Sequence, residues 1–323
     1  MIKWGVVGLG TAAVNFAKSF SEINNGKLSA VGSFNKNKIE LFKANCSLEK
    51  CFDNYDDLIN STDVDAVYVA TVNHLHYDLV KKCARAKKNV LCEKPIGLNF
   101  SQVEELSILV NNFNIKCAEA VAYYVHPQIN TIKKILDSKI LGEIIAIESY
   151  FGFKAVFDPQ SRIYNPKLGG GALLDLGCYP MSFLMLFAKN EKNSIKFLKK
   201  NITFSETIVD DYAEAELMIN NQIRAKIAVS IKENMKNTCK IMGTKGFIEI
   251  MNPWLPGKKE SIKLKMNSST SEEFIHNKYD FSIYANQINV LSNYFDNDDI
   301  PKNIFNISKS IVCSQLIHEW KNA

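Results

Sequence analysis

Short runs of β-branched and other apolar residues alternate with helical spacing through the first third of the chain. Strand patterns occupy residues 2–7, 28–32, 66–70, 90–92 and 115–120, and helical patterns occupy residues 11–21, 36–44, 76–86 and 101–111. Asn99 or Ser101 is expected to cap the last of these helices. The alternation is typical of βαβ units, in which helices connect the strands of a parallel sheet. It therefore predicts a doubly wound α/β domain.

From about residue 140 the pattern changes to longer strands with short connections, beginning with 144–153. Residues 223–231 alternate apolar and more polar side chains, and residues 212–219 place acidic side chains between apolar ones. Asn220-Asn221 between the two runs favours a hairpin turn. One face of this predicted antiparallel sheet is polar or semi-polar, so helices must cover the other face. Helical patterns are available for this cover at 172–188, 282–295 and 307–320.

Composition is that of an ordinary globular protein with two domains. The chain has 323 residues, of which 46% are hydrophobic and 23% are charged, a balance that excludes disorder as the main state. The longest apolar run, 178–188, is too short to cross a bilayer, and the N-terminus lacks a signal-peptide pattern. Eight cysteines without a C-x-x-C pair are typical of reduced thiols. We therefore expect a cytoplasmic protein without a membrane partner.

The positive charge is spread along the chain rather than clustered. The net charge is +5, and the longest basic runs are pairs such as Lys87-Lys88 and Lys199-Lys200. Nucleic-acid-binding proteins concentrate their basic residues in a patch or stripe. The pattern favours a small anionic ligand, and we expect no nucleic-acid partner.

A glycine-rich segment, Gly8-Leu-Gly-Thr-Ala-Ala13, lies between the first predicted strand and helix. It matches the dinucleotide fingerprint G-x-G-x-x-G/A, in which glycines bring backbone N–H groups close to a pyrophosphate at a helix N-terminus. We expect Gly8, Gly10, Thr11 and Ala12 to bind the cofactor. The alternative, an ordinary strand-to-helix turn, is disfavoured by the βαβ context.

The end of the second strand lacks the carboxylate that holds the ribose diol of NAD. Residues 31–38 read Val-Gly-Ser-Phe-Asn-Lys-Asn-Lys, so Ser33 with Lys36 or Lys38 could meet a 2′-phosphate instead. The alternative is that both lysines are solvated residues at a helix start. The sequence favours NADP over NAD.

Three further segments resemble those of the Gfo/Idh/MocA oxidoreductase family: Thr71-Val-Asn73-His-Leu-His76, Val90-Leu-Cys-Glu93-Lys94-Pro95, and Gly169-Gly-Gly-Ala-Leu-Leu-Asp175-Leu-Gly-Cys-Tyr179-Pro180. The resemblance implies a Rossmann domain at residues 1–122 and an α+β domain with an open, mainly antiparallel sheet at 123–323. The second domain would bind substrate and form oligomers, and the last helix would be free to pack back on the first domain. Nicotinamide would bind at the seam.

Within that family, residues 119–128 (Glu-Ala-Val-Ala-Tyr-Tyr-Val-His-Pro-Gln) resemble a branch of carbohydrate-related enzymes. The branch contains sugar-nucleotide 3-ketoreductases, glucose-fructose oxidoreductase, aldose dehydrogenases and dimeric dihydrodiol dehydrogenase. Tyr124 stands where that branch often has Arg. We expect cofactor contacts from Ser33, Phe34 and Lys38 at the end of the second strand. The resemblance further implies contacts from Thr71, Asn73, His76, Glu93 and Lys94.

Two residues are predicted to handle the proton of a hydride transfer. Reduction of a ketone leaves negative charge on its oxygen, so a donor must supply a proton. Tyr179 can act as this acid, and the Lys94 ammonium can stabilise the charge. The alternatives are a core aromatic for Tyr179 and a surface lysine for Lys94. The resemblance also implies a cis Lys94–Pro95 bond.

Other residues near these motifs are candidates for substrate binding. By resemblance Asp175 binds a hydroxyl group, although its place in a first helical turn is favourable in itself. Arg162 and Tyr164 could reach a sugar or its phosphate from a loop, or be solvated there, and His126 could orient a hydroxyl group. His74-x-His76 lacks further ligands, so no metal is expected. Cys92 and Cys178 lack a paired base, which argues against thiol catalysis.

These features predict an NAD(P)-dependent oxidoreductase of CH–OH groups in a carbohydrate, reducing a keto sugar or sugar nucleotide. Aldose or trans-dihydrodiol oxidation is the alternative activity. A non-catalytic NAD(P)- or sugar-sensing regulator is the alternative of another class, since fold alone does not define function. The polar sheet face predicts a homodimer or homotetramer.

Overall fold

The computed structural model describes residues 1–46, 48, 50–189, 194–297 and 303–322. The chain forms two compact units. The first comprises Met1–Val125 and Phe281–Ile311, and the second comprises His126–Asp280 and Val312–Ala323.

The strands are β1 (Ile2–Val7), β2 (Gly26–Gly32), β3 (Lys50–Phe52), β4 (Ala66–Val69), β5 (Asn89–Cys92), β6 (Cys117–Glu119), β7 (Ile144–Gly152), β8 (Ile195–Phe204), β9 (Asp210–Ile219), β10 (Ile223–Ser230), β11 (Cys239–Gly243), β12 (Gly246–Ile250), β13 (Lys259–Met266) and β14 (Glu273–Lys278). The α-helices are α1 (Thr11–Lys18), α2 (Lys36–Asn45), α3 (Tyr55–Asn60), α4 (His76–Arg85), α5 (Phe100–Asn112), α6 (Pro127–Asp137), α7 (Ala172–Leu176), α8 (Cys178–Met185), α9 (Ile283–Asp296) and α10 (Ile307–Lys321). Within the described residues, no helix is long and apolar enough to span a bilayer.

The first unit is built around a parallel sheet with strand order β3-β2-β1-β4-β5-β6. This is the doubly wound Rossmann order. Every residue of β4 is buried, as expected for a strand with helices on both faces. One core cluster contains Trp4, Phe16 and Tyr68, and a second contains Leu58, Val67 and Leu79. The prediction of a doubly wound domain is confirmed, and Asn99 is the residue that caps α5.

Helix α9 belongs to the first unit, although its sequence lies far from the Rossmann strands. Ile288, Leu291 and Phe295 are buried in the same cluster as Trp4, and the Trp4 indole N–H donates to Ser292 Oγ at 3.0 Å. The prediction that residues 282–295 cover the antiparallel sheet is therefore wrong. Helical spacing indicates that the helix has an apolar face but does not indicate which surface that face will meet.

The second unit contains a sheet with strand order β14-β13-β12-β11-β7-β10-β9-β8. Its strand pairs are antiparallel except for β7 with β10. Asn220 and Asn221 both have left-handed φ values, 53° and 58°, which a two-residue hairpin turn requires. The mainly antiparallel sheet and the β9–β10 hairpin are thus confirmed.

Helices α7 and α8 pack on one face of this sheet, against β7, β9 and β10. They divide the helix expected over 172–188 at Gly177. Helix α10 is assigned to the first unit up to Ile311 and to the second from Val312. Its Trp320 indole donates to the Glu214 carbonyl at 3.2 Å, which attaches the end of α10 to β9.

Candidate active site

The glycine-rich turn follows β1 and forms the N-terminus of α1. Gly8 has φ +86°, and a Cβ atom there would lie 2.7 Å from the Ala70 carbonyl oxygen, so glycine is required by the fold itself. Gly10 is different, because its backbone is extended and a Cβ atom would meet nothing within 4 Å. That open space at the positive end of a helix fits a pyrophosphate. Thr11 and Ala12 begin the helix beside it.

The ends of β1, β4 and β5 lie along one edge of the parallel sheet. Val7 pairs with Val69, and Val69 pairs with Cys92. The glycine turn, the segment from Thr71 and the segment from Glu93 therefore leave the sheet at the same edge. In open α/β sheets this carboxyl edge is where ligands bind.

A cavity of about 400 Å³ lies beside the end of β2 in the first unit. Its apolar lining consists of Phe34, Tyr55, Leu75 and Leu79, and its charged lining consists of Asp56, Asp78, Lys81, Lys82 and Arg85. The Phe34 side chain is 69% exposed and meets Tyr55 edge to face at 4.7 Å. The cavity fits an adenine ring. Phe34 was expected from the sequence, whereas Tyr55, Leu75 and Leu79 were not, because only the fold brings α3 and the start of α4 to this edge.

Ser33 and Lys38 are close in sequence to Phe34, which lines that cavity. Ser33 is buried, and its hydroxyl accepts the Asn35 amide at 3.1 Å. Asn35 caps α2 by accepting the Lys38 amide, while the Lys36 and Lys38 side chains are exposed. Exposed lysines in the first turn of a helix can bind a phosphate, but solvated lysines are exposed in the same way. Contact of Lys38 with a 2′-phosphate therefore stays a prediction.

The loop after β4 is tied to the loop after β5 by His76. Its buried ring has Nδ1 at 2.8 Å from the Pro95 carbonyl and Nε2 at 3.1 Å from the Thr71 carbonyl, and burial lowers the pKa of His76. Asn73 is also buried, whereas Thr71 is partly exposed. His76 therefore holds the two loops together, and its direct contact with cofactor stays a prediction.

Lys94 follows Glu93 directly after β5, and its charge acts on the buried Glu119 carboxylate. Glu93 accepts the Tyr68 hydroxyl at 2.5 Å, and the buried Glu119 accepts the Ile96 amide at 3.1 Å. Burial raises the pKa of Glu119, while the Lys94 charge opposes that rise. The Lys94–Pro95 bond is cis, as the resemblance implied. Sequence analysis placed Glu119 only in a motif and did not foresee its contact with this turn.

In the second unit, Asp175 and Tyr179 lie on α7 and at the start of α8. The side chain of Asp175 is 5% exposed, and its Oδ1 accepts a hydrogen bond from Arg162 Nη1 at 3.1 Å. Two predicted substrate residues are thus paired with each other. The Tyr179 ring packs edge to face on Phe151 and Trp254, with centroids 5.0 and 5.9 Å apart. Two aromatic side chains therefore pack against the Tyr179 ring.

Tyr164 and His126 have other partners in the second unit. Tyr164 is buried, and its hydroxyl donates to the Ile231 carbonyl at 3.2 Å. His126 is fully buried and caps α6, with Nδ1 accepting the Gln128 amide at 3.2 Å. Burial lowers the pKa of His126 to about 4. Substrate contact by these two residues stays a prediction.

The cysteines near the motifs are buried. Burial raises the pKa of Cys92 well above its ordinary value, which keeps the thiol protonated and a poor nucleophile. Cys178 is also buried. Among the residues that the structure describes, no group of three or more His, Cys, Asp or Glu side chains could hold a metal ion.

Comparison with known families agrees with this geometry and defines the class of protein. The model of an oxidoreductase family with an NAD-binding Rossmann fold matches residues 2–119, and the model of a GFO/IDH/MocA C-terminal domain matches residues 129–249. The two matches together span more than half of the chain. The protein is an NAD(P)-dependent oxidoreductase. It belongs to the Gfo/Idh/MocA family, which confirms the resemblance.

Several relatives of this chain carry the name of a dehydrogenase. The trans-1,2-dihydrobenzene-1,2-diol dehydrogenase of Xenopus tropicalis is 30% identical over 257 residues, covering 79% of this chain and 77% of the relative. The mouse enzyme of the same name is 29% identical over 258 residues, covering 79% and 76%. These similarities favour an enzyme over a non-catalytic sensor.

Solved structures share the fold. A 3-ketoreductase from Actinomadura kijaniata in complex with NADP and TDP-benzene superimposes with a TM-score of 0.89 at 22% identity, covering 99% of this chain and 97% of that one. An aldose-aldose oxidoreductase from Caulobacter crescentus complexed with glycerol gives 0.88 at 20% identity, covering 100% and 97%. At these identities the likeness extends to the fold alone.

Proposed function

We propose that this protein transfers a hydride between NADP and a carbohydrate carbon, acting as a reductase of a keto sugar or of a nucleotide-linked keto sugar. The observation that carries the proposal is the position of Lys94, which leaves the sheet at the same edge as the Gly8–Gly10 turn. A cation at the cofactor-binding edge suits a reaction that develops negative charge on oxygen.

The chemistry divides between two residues. When bound, the nicotinamide supplies the hydride that adds to the carbonyl carbon, and the carbonyl electron pair moves to oxygen. Tyr179 donates its phenolic proton to that oxygen. The Lys94 ammonium stabilises the negative charge that develops there. Asp175, which is paired with Arg162, accepts hydrogen bonds from substrate hydroxyl groups next to the reacting carbonyl.

For the cofactor we propose NADP over NAD. The adenine would occupy the cavity beside Phe34, and the 2′-phosphate on the ribose attached to it would meet Ser33 and Lys38, at a position where a carboxylate would repel it. Fluorescence titration with NADPH and NADH tests this preference. We expect tighter binding of NADPH and a loss of that preference in Lys38→Ala, with Lys43→Ala on the outer part of α2 as control. NADH binding at least as tightly as NADPH would contradict the proposal.

A second candidate activity is oxidation of trans-dihydrodiols. It is favoured by the aromatic surround of Tyr179, since Phe151 and Trp254 suit an unsaturated carbocycle better than a polar sugar. The relatives named as dihydrodiol dehydrogenases point the same way.

A substrate screen separates these activities. The purified chain would be incubated with NADPH and keto sugars, free and TDP-linked, and with NADP⁺ and either aldoses or trans-1,2-dihydrobenzene-1,2-diol. Absorbance of the reduced nicotinamide reports turnover, and Tyr179→Phe serves as the control for background oxidation. Turnover of the diol without any carbohydrate would favour the second candidate, and turnover of neither would contradict both.

The two parts of the chain would bind different ligands. We propose that residues 1–122 bind the dinucleotide and that residues 123–323, apart from the segment 281–311 that belongs to the first unit, bind substrate and form the oligomer. The eight cysteines are free thiols, which supports a cytoplasmic location.

Self-association would use the sheet face opposite α7 and α8. One row across that face alternates in charge from strand to strand: Lys199, Glu216, Lys226, Glu148, Lys240, Glu249 and Lys263. Two copies related by a two-fold axis and offset by one strand would place three of the four lysines of each copy opposite a glutamate of the other. Such a self-complementary face is what a homodimer requires, and it can also serve one interface of a homotetramer.

A further inference from the structure

The N-terminus of α7 is held by a buried carboxylate from a distant strand. Asp210, the first residue of β9, is fully buried, and its Oδ2 accepts the Leu173 backbone N–H at 2.6 Å. Leu173 lies in the first turn of α7, where backbone N–H groups lack partners within the helix. Asp210 therefore acts as a capping group that is 37 residues away in sequence.

The glycine motif before α7 is shaped around this carboxylate. Gly171 has φ +118°, and a Cβ atom there would lie 2.6 Å from Asp210 Oδ1. The amides of Gly170 and Gly171 donate to the carbonyls of Asn165 and Ile163. Gly171 is thus required both by its backbone conformation and by the space that Asp210 occupies.

A cation from the last helix lies beside the same carboxylate. Lys321 Nζ is 3.5 Å from Asp210 Oδ1. The end of α10 is held by the Trp320 bond to β9 and by Lys200, whose ammonium donates to the Glu319 and Asn322 carbonyls at 2.8 Å each. Burial raises the pKa of Asp210, and the Lys321 charge opposes that rise.

We propose that Asp210 and Lys321 are positioning residues for the active site. Asp210 orients α7, which carries Asp175 and continues through Gly177 into α8, where Tyr179 is the second residue. Lys321, 3.5 Å from Asp210 Oδ1, holds the buried carboxyl group in place. The proposal rests on the proposed role of Tyr179 as the proton donor.

The kinetic test compares Asp210→Ala with Asp210→Asn. Asparagine keeps an oxygen that can accept the Leu173 N–H, so we expect Asp210→Asn to retain most of kcat. Asp210→Ala should lose about 10²-fold in kcat, because small displacements of catalytic groups have effects of this size. The NADPH dissociation constant should stay unchanged in both. Asp211→Ala is the matched control, since Asp211 is the next residue, pairs with Lys232 at 3.6 Å and does not cap α7.

Lys321→Met supplies a second test without deleting a buried group, since its side chain is 46% exposed. We expect a several-fold loss of kcat in Lys321→Met. The double variant Asp210→Asn with Lys321→Met should match Asp210→Asn alone, because a neutral amide needs no cation. Additive losses, wild-type kcat in Asp210→Ala, or an Asp210→Asn enzyme as slow as Asp210→Ala would each overturn the proposal.

Hydrogen exchange gives a readout that needs no substrate. Amides of the peptide spanning residues 168–185 should lose protection in Asp210→Ala and keep it in Asp210→Asn and Asp211→Ala. If the wild-type chain turns over none of the substrates, this pattern still decides whether Asp210 positions α7. Equal protection in all variants would overturn the proposal independently of the reaction.

Discussion

At the scale of single residues, Lys94 and Tyr179 differ in how their surroundings prepare them for chemistry. The Lys94 charge acts on the buried Glu119 carboxylate, which accepts the Ile96 amide, while the neighbouring Glu93 accepts the Tyr68 hydroxyl. Tyr179 is surrounded by aromatic rings instead. A fixed cation and a phenol in an apolar surround suit the two roles of stabilising charge and supplying a proton.

Removing either group should slow turnover without affecting cofactor binding. Tyr179→Phe should lower kcat by about 10²- to 10⁴-fold, the range of general acid contributions, and Lys94→Ala by at least as much. Steady-state kinetics on a substrate from the screen and NADPH titration measure the two effects. If the residues act as one unit, the double variant will be little slower than the slower single variant. A Tyr179→Phe enzyme with wild-type kcat would assign the proton to another donor.

At the scale of elements, the start of each helix near the site has its own means of fixing the chain. Helix α1 begins at the glycine turn, α6 is capped by the His126 ring, and α7 is capped by Asp210. A single substitution at such a helix start can therefore be tested twice, once for its effect on stability and once for its effect on ligand binding or turnover.

The two glycines of the fingerprint should respond differently to substitution. Gly10→Val should fold normally, since a Cβ atom at Gly10 meets nothing within 4 Å, but should lose cofactor binding because the side chain would occupy the pyrophosphate position. Gly8→Ala should lower Tm, since Gly8 has a left-handed φ and a Cβ atom would crowd Ala70. Thermal melting and NADPH titration distinguish the two. Unchanged affinity in Gly10→Val would contradict the fingerprint assignment.

The His126 cap should make stability depend on pH. Its pKa is lowered to about 4 by burial, so the folded state holds the ring neutral while the unfolded state binds a proton below its ordinary pKa of about 6.5. Stability is therefore fully present above that value and falls as pH drops from about 6.5 towards 4, by at most about 3 kcal/mol.

Comparison with His126→Asn tests this dependence, because asparagine keeps an acceptor for the Gln128 amide but does not titrate. Denaturant unfolding at pH 7.5 and about pH 4.5 gives the difference for each protein. The decrease in the free energy of unfolding between the two pH values should be smaller in His126→Asn than in the wild-type protein. An equal loss would mean that other groups dominate acid sensitivity.

At the scale of the whole molecule, the sheet of the second unit has one face covered by helices and one face of alternating charge. On the charged face Lys263 lies 2.9 Å from the buried Glu249, whereas Lys226 and Glu216 are exposed. Exposed single pairs contribute little to stability. A row that continues across seven strands is better suited to recognition between two copies.

Charge reversal should therefore disrupt self-association. Lys240→Glu places like charges together along the row and should shift the molecule towards monomer. Adding Glu148→Lys to it restores an opposite-charge pair between copies where residue 148 of one copy faces residue 240 of the other, and should recover the oligomer. Light scattering at micromolar concentration measures the mass, with Lys134→Glu on α6 as control. A wild-type monomer would exclude this interface.

Some features of this protein follow from the sequence alone because they depend on residues within a few positions of each other. The strand and helix alternation, the glycine turn at Gly8 and Gly10, and the Asn220-Asn221 hairpin are of this kind. The alternation of apolar and polar residues in β9 and β10 also determined that the sheet would have two unlike faces.

Other features were decided only by the tertiary structure. Helix α9 packs on the parallel sheet through a bond between Trp4 and Ser292, 288 positions apart, and Asp210 caps a helix from 37 positions away. Arg162 is paired with Asp175 rather than left in solvent. The periodicity of the sequence indicates that a face is apolar, and the residue type indicates that a side chain is charged. The partner that it meets depends on how distant segments share the available surface, and local spacing does not contain that information.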